Sequence, residues 1–188
     1  MKIFLICPVR GITEGEMISI ERYVLDVERS GHHKVYWPPR DTNQNDLIGL
    51  RICGDNRQAI EDADEVHIWW DGKSQGSLFD LGMAFALKKK IFLVNFGSVQ
   101  ITPHKSFDNL LHALNFNGRK IYKVWHDGEI VDGLIPSKYA GWKKGKIFGR
   151  LDCKSGMLMK KENRIFFLTY DDAIKAGYRP CKNCKPKR

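Results

Sequence analysis

Apolar side chains recur with two alternating periods along the N-terminal part of the chain. Residues 2–7 form a short continuous apolar run, the pattern of a strand covered on both faces. Residues 14–30 then place Met17, Ile20, Tyr23, Val24 and Val27 at helical spacing, and Gly31 closes the segment. Residues 33–37 read as a second strand, stopped by Pro38 and Pro39. The alternation continues through a helix over 47–62, a strand over 65–70, a helix over 77–89, a strand over 91–96 and a helix over 106–115. This succession predicts an α/β fold: a Rossmann-like (flavodoxin-like) parallel sheet flanked by helices. The ligand crevice of such a sheet is expected at the C-terminal ends of its strands.

Beyond Asn117 the pattern shifts to short β-like pieces rich in Gly, Lys and Trp. The expected division is a first domain over 1–118, a linker or β extension over 119–145 and a small module over 146–188. A chain of 188 residues with 43% hydrophobic content can bury one good core and carry one small appended unit. No apolar run approaches bilayer-spanning length. The apolar opening is too short for a secretory signal and lacks a small-residue cleavage site, so a cytoplasmic protein with no membrane partner is expected.

Charge divides the chain the same way. The net charge is +9, but residues 1–118 sum to about −2 and residues 119–188 to about +11. The tail ends in Lys182, Lys185, Lys187 and Arg188, either as a solvated face or as a surface for a polyanion, which makes nucleic acid a candidate partner.

The candidate chemistry gathers in two loops at the expected crevice. The first strand empties into Cys7-Pro8-Val9-Arg10-Gly11, the third into Asp71-Gly72-Lys73-Ser74-Gln75-Gly76-Ser77. Ser77-x-x-Asp80 has capping-box spacing, so one reading of Asp80 is a helix cap. In the other reading, Ser74, Gly76 and Ser77 open a helix N-terminus whose free N–H groups and dipole suit a phosphate or a sugar hydroxyl. Gly76 lets the backbone come close to a ligand, and Arg10 with Gly11 can close on the same anion from the neighbouring loop. Asp71 at the strand end faces either ligand or solvent. Strand alternation puts one of Trp69 and Trp70 in the core, while His67 and Tyr23 read as packed residues.

Three stretches, FLICPVRG, AIEDADEVHIWWD and SQGSLFDLGMAFALKKKIFLV, resemble the nucleoside 2-deoxyribosyltransferase superfamily over residues 1–118. Within it the likeness is nearest to the deoxynucleoside 5'-monophosphate N-glycosidases. Those carry an IRGG-type first loop, similar to Val9-Arg10-Gly11, and a serine six residues before the catalytic carboxylate, as Ser74 stands before Asp80. The resemblance implies that Asp80 attacks or stabilises C1' of the sugar as the glycosidic bond breaks, and that the serine marks a 5'-phosphate. An oxocarbenium-like transition state makes an anion beneath the sugar chemically apt. Two departures stand out. The family usually has Glu where this chain has Asp80, and its second acidic residue falls at Asn56, with Asp55 beside it. Either Asp55 substitutes, or Asn56 orients the sugar, or the site binds without turnover.

The second constellation is Cys181-x-x-Cys184 in a turn flanked by Pro and Lys, half of a zinc site by spacing. Cys7 and Cys53 stand alone and read as small buried residues. KIFGRLDCKSG, NRIFF and DDAIKAGYRPCKNCKP resemble the metal-binding module of the adaptive-response DNA methyltransferase Ada. That module holds one zinc through four cysteines. The resemblance implies Cys153, Cys181 and Cys184 as ligands of a structural zinc, but Met157 stands where the second cysteine belongs. Asp152, His126 and water are candidates for the fourth position. The whole reads as an N-glycosidase or deoxyribosyltransferase acting on a nucleotide or nucleoside, expected to be a homo-oligomer. The alternative is a non-catalytic nucleotide sensor that binds nucleic acid through the basic module.

Overall fold

Four short apolar runs become the strands of a parallel sheet in the computed structural model, which describes residues 1–115 and 120–188. Of these, residues 1–100 and 106–115 form one compact unit, and residues 101–105 and 120–188 a second. The boundary expected near Gly118 lies outside the described residues.

In the first unit β1 (Lys2–Ile6), β2 (Lys34–Tyr36), β3 (Glu65–Ile68) and β4 (Lys90–Leu93) lie in the order β2-β1-β3-β4, every pair parallel. This is the flavodoxin-like order, which reverses direction at β1 and β3 and opens its crevice there. The connecting helices are α1 (Glu14–Arg29), α2 (Pro38–Asp41), α3 (Leu50–Asp62), α4 (Gln75–Ala86) and α5 (Phe107–Leu114). Alternation along β1 explains the layering: Phe4 and Ile6 face one core with Ile60, Val66, Leu81, Ile91 and Leu111, whereas Ile3 and Leu5 face another with Ile20, Val24 and Val35. Each fully buried aliphatic side chain contributes about 1.5–3 kcal/mol, so both faces must be covered for the sheet to persist.

Two local expectations change. Pro38 and Pro39 end β2, but they also begin α2, because proline suits the first helical position, where no N–H is needed. The helix expected from residue 77 starts earlier, with Ser74 as its N-cap.

The second unit is a six-stranded sheet made of β5 (Tyr122–His126), β6 (Glu129–Gly133), β7 (Tyr139–Trp142), β8 (Ile147–Arg150), β9 (Arg164–Phe167) and β10 (Arg179–Pro180). Their order is β10-β8-β7-β9-β5-β6, with α6 (Lys154–Met157) and α7 (Tyr170–Lys175) between strands. β7 pairs with both β8 and β9, and residue 145 lies in the turn that joins β7 to β8. The core of this unit is aromatic: Trp125, Phe148, Phe167 and Tyr178 are buried with Ala173. Gly141 permits this packing, since a Cβ there would stand 2.7 Å from the Phe167 ring and 2.9 Å from Tyr178. No helix among the described residues is long and apolar enough to cross a membrane.

Candidate active site and candidate metal centre

The crevice lies where the topology puts it. The loops after β1, β3 and β4 border a cavity of about 530 Å³ lined by Pro8, Gly11, Trp69, Asp71, Lys73 and Asn95 among others. Asn95 pins the loop after β3 by accepting from the Trp70 N–H at 2.9 Å and donating to the Trp70 carbonyl at 2.6 Å. Asp71 accepts at 3.0 Å from the backbone N–H groups of both Lys73 and Ser74, so this carboxylate shapes the turn that delivers α4. Gly11 holds φ +72°, a conformation that L side chains rarely adopt, at the bend of the first loop. Arg10 and Gly76 are exposed and are not among the residues that line the cavity.

The capping box read from Ser77 and Asp80 does not form. Ser74 supplies the cap, its hydroxyl accepting from the Ser77 N–H at 3.2 Å. Ser77 thereby falls in the first turn of the helix and Asp80 three residues further on, on one face and both buried. The Ser77 hydroxyl is enclosed with no hydrogen-bond partner, an arrangement that native interiors rarely tolerate. Asp80 accepts from Asn56 Nδ2 at 3.1 Å. Burial pushes the Asp80 carboxyl up to about 6, against the lowering effect of that hydrogen bond.

Asn56 is itself held. Thr42 Oγ1 donates to Asn56 Oδ1 at 3.2 Å, and Tyr36 Oη lies 2.8 Å from Thr42 Oγ1. With the single Thr42 proton committed to Asn56, the Tyr36 hydroxyl is the donor to Thr42, and every proton in the chain points toward Asp80. The amide therefore presents its NH₂ to the carboxylate, which favours the ionised form. Asp55, the neighbouring carboxylate, is half-exposed and pairs with Arg51 at 2.9 Å on the outer face of α3. The structure brings Asn56, not Asp55, to Asp80. Thr42 and Tyr36 were missed because Thr42 lies outside any periodic or motif-bearing stretch, and Tyr36, though on a predicted strand, shows nothing in the sequence of what its hydroxyl meets.

The other singled-out residues have surroundings of their own. Cys7, buried at the end of β1, has its thiol pushed up to about 12 by burial, with the Asp80 charge adding to the effect. It is a neutral small group at neutral pH, not a nucleophile. His67 Nδ1 is 2.7 Å from the Tyr23 hydroxyl, and burial lowers its pKa, as for a packed neutral imidazole. Trp70 is buried and donates through Nε1 to Asp108 at 2.9 Å, Trp69 is half-buried, and both line the crevice.

In the second unit the sulfurs of Cys153, Cys181 and Cys184 lie within 4.8 Å of one another. Cys153 Sγ and Cys181 Sγ are 3.9 Å apart, close to the separation of about 3.8 Å that zinc–sulfur bonds of about 2.3 Å impose around a tetrahedral ion. Cys153 caps α6 just after β8, and the other two sit in the turn after β10. N–H groups of Cys184 and Asn183 lower the Cys181 thiol toward thiolate, and the Cys184 sulfur accepts from the Arg150 N–H at 3.4 Å. Gly149 makes the cradle: a Cβ there would stand 2.6 Å from Cys184 Sγ. The three sulfurs thus fit a zinc ion. Asp152 is occupied with Arg150 through both oxygens, and no fourth His, Cys, Asp or Glu joins the cluster among the described residues.

The chain thus holds a parallel α/β unit with a buried carboxylate on α4, not itself among the residues that line the cavity, and a small sheet unit with a three-cysteine knuckle. Residues 137–187 match the family described as the metal binding domain of Ada. No curated protein sequence matches the chain. Among solved structures, the chain is similar to a CMP N-glycosidase of Clostridium botulinum at 23% identity, covering 50% of this chain and 70% of that one, with a TM-score of 0.39. It is similar also to a 2-deoxyribosyltransferase of Bacillus psychrosaccharolyticus, at 17% identity over 61% of this chain and 96% of that one, TM-score 0.41. A third, the 2-desoxiribosyltransferase of Leishmania mexicana, is 13% identical over 93% of this chain and 94% of that one, TM-score 0.41.

Proposed function

We propose that the first unit cleaves or exchanges the N-glycosidic bond of a nucleotide or nucleoside, with Asp80 attacking or stabilising C1' as the base departs. The observation that carries this reading is the state of Asp80: buried, oriented by a directed hydrogen-bond chain, and one helical turn from the unpartnered Ser77 hydroxyl. A carboxylate in that setting costs stability, and such a cost persists where the group does chemistry. Ser77 and Ser74, with the free N–H groups at the start of α4 and Arg10 and Gly11 of the loop after β1, would receive a 5'-phosphate or sugar hydroxyls. Asn56 cannot act as acid or base, so its part is to hold Asp80 ionised and aimed. Water or a second base would then accept the sugar.

The second unit would use Cys153, Cys181 and Cys184 to hold a zinc ion that fastens β8 to the turn after β10. When bound, the ion supplies folding free energy to a unit with a small core. The basic surface of this unit suits a polyanion.

The test is to incubate the purified chain with a panel of deoxynucleoside monophosphates and nucleosides and follow free base by chromatography. Release or exchange that disappears in Asp80→Asn is the expected result. No release from any member would sink the enzyme reading and leave the crevice as a nucleotide-sensing site.

A further inference from the structure

The zinc-type centre has three protein ligands and, beside them, a cavity. Tetrahedral coordination leaves one position for a fourth donor. The candidates along the chain are turned to other uses: Asp152 is held by Arg150, and His126 Nε2 sits 3.7 Å from Asp127 with its ring substantially exposed. Met157 lies one turn beyond Cys153, its N–H bonded to the Cys153 carbonyl at 2.9 Å, but it carries a thioether, a poor zinc ligand, and its side chain is 60% exposed. Against Cys153 and Cys181 opens a cavity of about 540 Å³, whose walls include Trp142, Leu158, Lys160, Arg179 and Lys182. Three thiolates around a divalent ion carry a net charge of about −1. Cations in that wall offset it and favour a further anionic donor, and the apolar part suits a soft one.

We infer that this centre is a three-thiolate site whose fourth position takes an exchangeable ligand from the cavity: water at rest, displaced by a low-molecular-weight thiolate. In the exchange the thiol S–H bond breaks, a metal–sulfur bond forms, the metal–water bond is lost, and one proton leaves to solvent. No electron is transferred. The inference rests on the metal reading of Cys153, Cys181 and Cys184 and is independent of the glycosidic one.

Cobalt(II) reports on metal binding and on ligand exchange separately. The full chain is stripped, reloaded anaerobically with one equivalent of Co(II), and titrated with 2-mercaptoethanol while the thiolate-to-cobalt charge-transfer and d–d absorption are followed. A stoichiometric tetrahedral spectrum is expected first, then a saturable rise in charge-transfer intensity of about one third as three metal–sulfur bonds become four. Met157→Cys places a fourth thiol one helical turn from Cys153, so its cobalt form should start at the higher intensity and ignore the added thiol. A wild-type spectrum that binds one cobalt and does not respond would overturn the inference while leaving the metal site standing. Failure to bind one cobalt per chain would overturn both. Should Met157→Cys not fold, the ¹¹³Cd resonance of the wild-type chain decides the matter: a three-sulfur shift that moves with added thiol supports exchange, and a fixed shift refutes it.

Discussion

Among single residues, the proposed chemistry turns on Asp80 and what surrounds it. Raising a carboxyl from its ordinary 3.8 to about 6 in the folded state means that the fold holds that proton more tightly than the unfolded chain does. At about 1.4 kcal/mol per pH unit, the folded chain forfeits on the order of 3 kcal/mol as pH rises from near 4 through 6. Asp80→Asn should therefore be more stable than wild type in urea unfolding at pH 7.5, by about 1–3 kcal/mol, and indistinguishable from it near pH 4. A variant destabilised at both pH values would show that Asp80 is no buried carboxylate. The proposed activity needs the ionised form, so base release should fall as pH drops through about 6. Thr42 gives a second handle. Thr42→Val keeps the shape but removes the proton that fixes the Asn56 amide, at a stability cost of about 1 kcal/mol. With Asn56 free to turn, the Asp80 titration, read by NMR of the carboxyl carbon, should move upward and carry the pH profile of activity with it. A purely structural role for Thr42 would lower the melting temperature and leave the titration in place.

For the elements, one hydroxyl decides where α4 begins. Ser74 and Ser77 are chemically alike, and both have the right company in the sequence to cap a helix. The choice falls to Ser74 because Asp71 ties down the N–H groups of Lys73 and Ser74, which turns the chain three residues earlier. That contest is tertiary geometry, and periodicity carries no trace of it. The two serines should separate cleanly on substitution. Ser74→Ala loses a working cap and should cost about 1 kcal/mol in unfolding. Ser77→Ala removes a buried hydroxyl that has no partner, so stability should hold or rise. If the hydroxyl serves a phosphate, calorimetry should show nucleoside monophosphate binding weakened about tenfold in Ser77→Ala. Unchanged affinity would remove Ser77 from the binding set. The strands and helices of the first unit were legible because apolar spacing is a direct record of burial. The part of the site made by Tyr36 and Thr42 was not, because an isolated polar residue looks the same whether it meets water or Asn56. Cys181-x-x-Cys184 was legible for the opposite reason: its spacing is that of a metal-ligand pair, whatever the rest of the fold.

Taken together, the two units have separate cores and different means of support. Aliphatic-rich layers of sheet and helix cover the first, and its buried residues outnumber those of the second, whose core is Trp125, Phe148, Phe167, Ala173 and Tyr178. A core of that size leaves little surplus after chain entropy, so the metal should supply much of the stability of the second unit. Thermal unfolding followed by calorimetry should then respond to two different ligands in two different ways. A chelator should lower or erase the transition in which the tryptophan and tyrosine signals of residues 120–188 are lost. A nucleotide bound at the crevice should raise the other, by about 2.7 kcal/mol at a hundredfold excess over its dissociation constant. Gly149→Ala sharpens the first arm: a methyl group 2.6 Å from Cys184 Sγ must push a ligand aside, so this variant should bind zinc at least about tenfold more weakly in competition with a chromophoric chelator. Its melting curve with zinc should approach that of the chelated wild type. If chelation and Gly149→Ala both leave that transition where it was, the aromatic core holds the second unit without help, and the cysteine cluster has some task other than stability.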